Sequence, residues 1–159
     1  METSDTALQI VLAEDNPADV TVVRMALREA GLRCELRILQ DGEQAIAFLD
    51  RLDADPKAAA PIDLLLLDMH LPKYDGEDIL KRLRSTERFA QTRVIVMTAS
   101  EAPCDHDRAE RHAAVHYFRK PPTLAEFMQL GTIVRDFLCT KKPMDIESAS
   151  IRAKQGGAL

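Results

Sequence analysis

Five polar residues with useful chemistry follow apolar runs in this sequence. Glu14 and Asp15 come directly after LQIVLA, and Asp68 comes after LLLL. Thr98 closes the run that begins RVIVM, and Lys120 follows VHYFR. Carboxylates brought together would repel one another, and a hard cation such as Mg²⁺, which prefers oxygen ligands, would relieve that repulsion. A hydroxyl and an ammonium beside such a cation would suit the binding of a tetrahedral anion.

The segments between these residues predict strands and helices in strict alternation. The predicted strands cover residues 8–13, 34–39, 62–67, 93–97 and 115–118, and the predicted helices begin near Pro17, Gly42 and Gly76, within 100–114, and after Thr123. Such alternation is typical of a parallel sheet with helices on both faces. We expect an α/β fold of the flavodoxin-like (βα)5 type, doubly wound, with strand order 2-1-3-4-5.

That topology would gather the five polar residues at one edge of the sheet. In a doubly wound sheet, ligands bind beyond the carboxyl ends of the strands, where the strand order reverses. Strands one and three flank that point, so Glu14, Asp15 and Asp68 would meet there. Thr98 and Lys120 end strands four and five at the same edge. An acidic pair after one strand is in general a helix cap, so the joint placement of all five residues carries the prediction.

Composition excludes several other classes of function. The 159 residues carry a net charge of −5, which disfavours binding to duplex DNA. No apolar run approaches the ~20 residues of a membrane span. The three cysteines are an odd number and widely spaced, which favours a reducing, cytoplasmic setting. We expect one domain over residues 7–138 and a polar tail over 139–159, too short for a DNA-binding module.

The chain resembles the receiver domains of two-component response regulators, which are also called CheY-like. The resemblance covers residues 7–138. It is carried by Glu14-Asp15, Asp68, Thr98-Ala99, Lys120-Pro121 and Tyr117, which lies three residues before the lysine. The segment LGTIVRDFL is similar to the last helix of single-domain regulators encoded beside phytochrome-type kinases.

The resemblance implies a phosphoacceptor site. Asp68 would take a phosphoryl group from a histidine kinase as an acyl phosphate, and Lys120 would contact a phosphoryl oxygen. Asp15 and Asp68 would ligate Mg²⁺ directly, Glu14 would do so through water, and the backbone carbonyl of His70 would complete the protein ligands. Such a chain is a signalling protein, with self-phosphotransfer and autodephosphorylation as its only reactions.

The resemblance also implies a switch. Thr98 would turn toward the phosphoryl group and Tyr117 would move inward behind it, altering a surface formed by the fourth helix, the fifth strand and the fifth helix. His70 and Ser100 would tune the lifetime of the acyl phosphate. The Lys120–Pro121 peptide bond would be cis.

The expected partners are a sensor histidine kinase, of phytochrome type by resemblance, or a histidine phosphotransfer protein. A homodimer through the switch surface is a further expectation, and direct DNA or membrane binding is not expected. Two alternatives stay open. One is a receiver-like interaction module that takes no phosphate, and the other is a phosphatase with an aspartyl nucleophile. The phosphatase is disfavoured because His70 stands where such enzymes usually place a second Asp.

Overall fold

The computed structural model describes residues 6–55, 57, 61–99 and 115–139. The strands are β1 (Leu8–Ala13), β2 (Cys34–Leu39), β3 (Leu64–Asp68), β4 (Arg93–Thr98) and β5 (Val115–Arg119). The helices are α1 (Pro17–Glu29), α2 (Gly42–Ala54), α3 (Gly76–Arg84), α4 (Leu124–Phe127) and α5 (Gln129–Cys139), with a 3₁₀ turn at Glu87–Phe89. No helix among these residues is long and apolar enough to cross a membrane.

The strands form one parallel sheet in the order β2-β1-β3-β4-β5, which confirms the predicted topology. All five residues of β3 are buried, as expected for a central strand covered on both faces. In contrast, β2 lies at an edge, and Leu39 at its end is its one buried residue. Because β1 and β3 are neighbours with Ala13 paired to Leu67, the residues that follow them emerge side by side.

The core consists of two layers, one on each face of the sheet. One layer packs α2 and α3 against the sheet through Leu49, Leu80 and Leu83, among others. The other packs α1 and α5 against the opposite face through Leu27, Leu130 and Val134. These two layers hold the strand ends rigidly in register at the edge where the polar residues lie.

Close contacts at glycine fix the positions of two helices. A Cβ on Gly131 would lie 2.1 Å from the Ala26 carbonyl oxygen, so α5 packs directly on the backbone of α1. A Cβ on Gly42 would lie 2.0 Å from the Tyr74 carbonyl oxygen, and the Gly42 N–H donates to the Pro72 carbonyl at 3.0 Å. The start of α2 is therefore joined to the loop that follows β3.

Several expectations need correction. The Lys120–Pro121 bond is trans, since the described residues contain no cis peptide bond, in line with the ordinary preference of X–Pro bonds. β3 begins at Leu64 rather than residue 62, because the Asp63 side chain accepts the Gln9 N–H at 2.7 Å.

The last helix is also interrupted. It divides at Met128 into α4 and α5, with the Gly131 N–H bonded to the Met128 carbonyl. Thr123 caps α4 as predicted by accepting the Glu126 N–H at 3.4 Å. The predicted fourth helix, residues 100–114, and the tail from residue 140 lie outside the described residues.

Candidate functional site

Three carboxylates meet at the carboxyl edge of the sheet. Glu14 and Asp15 follow β1, and Asp68 ends β3. One oxygen from each lies within 4.8 Å of the others, which is close enough for a shared metal ion. Glu14 and Asp68 are buried, whereas Asp15 is exposed. The site therefore has an enclosed side and a side that is open to solvent.

Lys120 brings the positive charge to this cluster. Its backbone N–H donates to the Thr98 carbonyl at 2.9 Å, which extends the pairing of β4 and β5 by one step. Its Nζ lies 2.7 Å from Glu14 Oε2 and 3.0 Å from Asp68 Oδ2. The side chain is only 10% exposed, so the ammonium lies within the cluster rather than above it.

Asp68 is held at both of its oxygens. Oδ1 accepts the backbone N–H of His70 at 2.9 Å, and Oδ2 accepts from Lys120. The loop after Asp68 is fixed in turn, because the Gly76 N–H donates to the Met69 carbonyl at 2.9 Å. A Cβ on Gly76 would lie 2.7 Å from the Met69 Cα, so this close return requires glycine. The carboxylate of Asp68 is therefore preorganised.

Burial sets the electrostatics of Glu14. Its side chain has no exposed surface, and burial raises its pKa to about 7. The charge of Asp68 acts in the same direction, while the hydrogen bonds from Lys120 and from the Asn16 N–H oppose it.

The pKa of Lys120 is also raised, but its partners rather than burial raise it. Burial alone would lower the pKa of this ammonium, but the hydrogen bonds to Glu14 and Asp19 and the charge of Asp68 raise it above its ordinary value. Lys120 therefore carries its charge at neutral pH.

Asp19 belongs to the site, although sequence reasoning missed it. It lies in the first turn of α1, and its Oδ2 is 2.9 Å from Lys120 Nζ. The signal was present in the sequence, since Asp19 is an acidic residue in the first turn of a helix that begins directly after Glu14 and Asp15. No strand ends at Asp19, and so the rule that identified the other residues passed over it.

The remaining predicted residues surround the cluster at different distances. Thr98 is fully buried at the end of β4. Tyr117 is half-buried and packs with the layer that holds α2 and α3. His70 is exposed, and its backbone amide donates to Asp68; its carbonyl stays a predicted metal ligand. Ser100 lies outside the described residues.

The donor set suits a hard divalent cation. Carboxylate oxygens are the preferred protein ligands of Mg²⁺, and Mg²⁺ keeps several waters when one or two carboxylates hold it. Glu14, Asp15 and Asp68 supply only oxygen donors, and the exposure of Asp15 leaves room for water and for an anionic group.

Comparison with protein families and curated proteins agrees with this geometry. Residues 10–131 match the family described as the response regulator receiver domain. The chain is 36% identical over 91 residues to the response regulator Rcp1 of Synechocystis sp., covering 57% of this chain and 61% of Rcp1. It is 29% identical over 128 residues to the probable methanogenesis regulatory protein FilR2 of Methanothrix harundinacea, covering 80% of this chain and 81% of FilR2. The chain thus spans less than two thirds of Rcp1 and most of FilR2.

Solved structures give the same result. The phosphorylated cyanobacterial phytochrome response regulator RcpA superposes with a TM-score of 0.75 at 28% identity, covering 86% of this chain and 97% of RcpA. The receiver domain of the sensor histidine kinase PA1611 from Pseudomonas aeruginosa PAO1 superposes with a TM-score of 0.66 at 27% identity, covering 85% of this chain and 100% of that domain. That domain was solved with a magnesium ion coordinated in its active site cleft.

Proposed function

Since this chain belongs to the response regulator receiver domain family, we propose that it accepts a phosphoryl group on Asp68 in a two-component phosphorelay. The observation that carries this proposal is the contact between Asp68 Oδ2 and Lys120 Nζ at 3.0 Å, inside a cluster of carboxylates. It places a nucleophilic carboxylate beside a fixed cation, which is the pairing that transfer of an anionic group requires.

The reaction uses Asp68 as the nucleophile. One carboxylate oxygen attacks the phosphorus of a phosphohistidine on the partner. The new O–P bond forms as the P–N bond breaks, and the imidazole nitrogen retains the electron pair and takes up a proton. The His70 N–H keeps the other carboxylate oxygen oriented, while Lys120 offers its N–H to a phosphoryl oxygen.

Glu14, Asp15 and Asp68 would hold Mg²⁺ in this site. Bound Mg²⁺ would supply positive charge that offsets the repulsion between the carboxylates and the incoming phosphoryl group. Asp15 is exposed, which supports an approach of that group from the side of the site on which Asp15 lies. The His70 carbonyl completes the proposed ligands.

Thr98 and Tyr117 are the proposed switch residues. Thr98 is buried at the end of β4, where its carbonyl accepts the Lys120 backbone N–H, and Tyr117 lies on β5. A hydrogen bond from the Thr98 hydroxyl to the phosphoryl group would favour one of two alternative packings of β5 and α5 over the other. His70 and Ser100 are proposed to tune the lifetime of the acyl phosphate.

The proposed partner is a sensor histidine kinase or a histidine phosphotransfer protein. The phytochrome-type assignment is supported by the similarity to RcpA. We place the exchange in the cytoplasm, where free cysteines such as Cys34 and Cys139 persist. The receiver is proposed to span residues 7–138 and to signal by protein contact or self-association through β5, α5 and the segment 100–114.

Intact mass spectrometry tests the proposal. Wild type incubated with Mg²⁺ and acetyl phosphate should gain one labile phosphoryl group. Asp68→Asn and a chelator-treated sample should gain none. Asp136→Asn, an exposed substitution on α5 with the same charge change, should behave as wild type.

An adduct that persists in Asp68→Asn would overturn the assignment of the phosphoacceptor. If no adduct forms in wild type, and beryllofluoride does not bind, the chain is a phosphate-independent interaction module. Continuous turnover of a phosphate ester would point to the phosphatase alternative.

A further inference from the structure

The ammonium of Lys120 touches three carboxylates, and one of them comes from a helix rather than a strand end. The distances from Nζ are 2.7 Å to Glu14, 2.9 Å to Asp19 and 3.0 Å to Asp68. An ammonium group has three N–H donors and no acceptor. Each donor therefore has one partner, and the three partners together define where the ammonium lies.

The start of α1 leaves the Asp19 side chain available for this contact. Asn16 caps the helix through the Ala18 N–H, and Pro17 occupies the first helical position. Asp19 is at the third helical position, whose acidic side chain in a capping box reaches back to the N–H of the capping residue. Here the Asn16 N–H donates to Glu14 Oε1 instead, at 3.1 Å. The Asp19 carboxylate is directed at Lys120.

The three partners are not equivalent during phosphotransfer. When Asp68 gains a phosphoryl group, its carboxylate charge is replaced by charge on the phosphoryl oxygens, and the third N–H of Lys120 must change partner. Glu14 and Asp19 take no part in bond formation and can keep the other two N–H groups. Lysine has a long stem with many rotamers, so an ammonium held at only one fixed point would sample positions away from the site.

We propose that Asp19 is a positioning residue that keeps the Lys120 ammonium directed at Asp68, so that one hydrogen bond can pass to a phosphoryl oxygen while the side chain stays in place. This inference rests on the proposed phosphoacceptor function. Asp19 acts through Lys120 and does not itself touch the phosphoryl group.

The first arm of the test measures phosphorylation. With saturating Mg²⁺ and acetyl phosphate as the donor, Asp19→Ala should slow formation of the adduct by about tenfold, as expected for a misplaced catalytic group. Asp19→Asn, which keeps an oxygen acceptor, should recover most of that loss. The matched control is Glu43→Ala, which removes a first-turn carboxylate from α2 whose lysine partner is the exposed Lys73. It should leave the rate unchanged.

A double-mutant cycle tests whether Asp19 acts through Lys120. In the Lys120→Gln background, Asp19→Ala should have no further effect on the rate. An equal slowing in both backgrounds would overturn the proposal, as would an Asp19→Ala rate equal to that of wild type.

The second arm does not depend on phosphorylation. Proton–nitrogen NMR of lysine ammonium groups reports how fast the ammonium protons exchange with water. The Lys120 signal is assigned by its loss in Lys120→Arg. Asp19→Ala should raise the exchange rate of the Lys120 ammonium several-fold, with Asp19→Asn between it and wild type. Unchanged exchange would overturn the positioning role. A wild type that forms no adduct but shows this exchange pattern would overturn only the proposed phosphoacceptor function.

Discussion

Asp68 Oδ2 lies 3.0 Å from Lys120 Nζ, although 52 residues separate the two in the chain. The other oxygen of Asp68 is bonded to the His70 N–H at 2.9 Å. The two carboxylate oxygens are therefore distinct, one facing a backbone amide and the other a side-chain ammonium. A carboxylate held in this way needs little reorganisation when a phosphoryl group arrives.

Loss of the Lys120 ammonium should impair phosphorylation much more than folding. We expect Lys120→Gln to slow adduct formation from acetyl phosphate by about 10²- to 10³-fold, the cost of removing one preorganised donor. The rate is measured by intact mass over time, and circular dichroism checks the fold. Lys81→Gln, on the exposed face of α3, is the control and should react as wild type. If Lys120→Gln forms the adduct at a rate within about a factor of two of wild type, the proposed role of the ammonium is contradicted.

Mg²⁺ should stabilise the folded protein through Asp15. At a concentration ten times its dissociation constant, a ligand that binds only the folded state stabilises it by about 1.4 kcal/mol. For a domain of this size we expect a rise in Tm of about 4 °C. Thermal unfolding with and without Mg²⁺ measures this shift, and Asp15→Asn should reduce it strongly.

The control for that measurement is Glu29→Gln, which removes one negative charge from the exposed far end of α1. It should keep the full Mg²⁺ shift. An equal shift in Asp15→Asn and wild type would show that the metal binds elsewhere or without this carboxylate.

The contact between α1 and α5 should not tolerate a methyl group at Gly131. Alanine favours a helix over glycine by about 1 kcal/mol, but its Cβ would lie 2.1 Å from the Ala26 carbonyl oxygen. Overpacking of this kind costs about 1–3 kcal/mol, so Gly131→Ala should lower the free energy of unfolding. Urea denaturation measures it. The control is Thr132→Ala at the exposed neighbouring position, which should change the free energy of unfolding by less than about 0.5 kcal/mol. A Gly131→Ala variant that is more stable than wild type would show that α1 and α5 can move apart to accept the methyl group.

His116 should make the protein less stable in acid. Among the described residues its buried Nδ1 has no hydrogen-bond partner, and its ring lies 6.1 Å from that of Phe137. Burial lowers the pKa of His116 below its ordinary value of 6.5. As the pH falls, His116 therefore takes up a proton in the unfolded state before it does so in the folded state. The free energy of unfolding should decrease as the pH drops below 6.5, whereas above 6.5 the neutral imidazole costs no stability.

Replacing His116 by leucine removes this titration. The free energy of unfolding of His116→Leu, measured in urea between pH 7.5 and pH 5, should fall less steeply with decreasing pH than that of wild type. Parallel curves for the two proteins would show that His116 does not titrate differently in the folded and unfolded states.

Local patterns were sufficient for most of the fold. The bounds of β1 and β2 were predicted to the residue, β1 from a short apolar run and β2 from the alternation of apolar and charged residues. The inward faces of α3 and α5 followed from helical spacing, as at Leu83 and Val134. The interruption at Met128 and the trans Lys120–Pro121 bond were not predicted. The interruption lies where α5 packs closely on α1, a contact that no local pattern reveals.

The sequence by itself determined which residue types stand at the strand ends, since a charged residue after a buried run must lie where the strand leaves the core. Because Glu14, Asp68 and Lys120 stand at three such ends, the sequence predicted a cluster of charged side chains at one edge of the sheet. Only the tertiary structure decided the partners within that cluster. It joined Asp19 to Lys120 across 101 residues and gave Asp68 one amide and one ammonium. Such contacts depend on how α1 lies across the sheet, because the packing of α1 sets the distance from Asp19 to the end of β5.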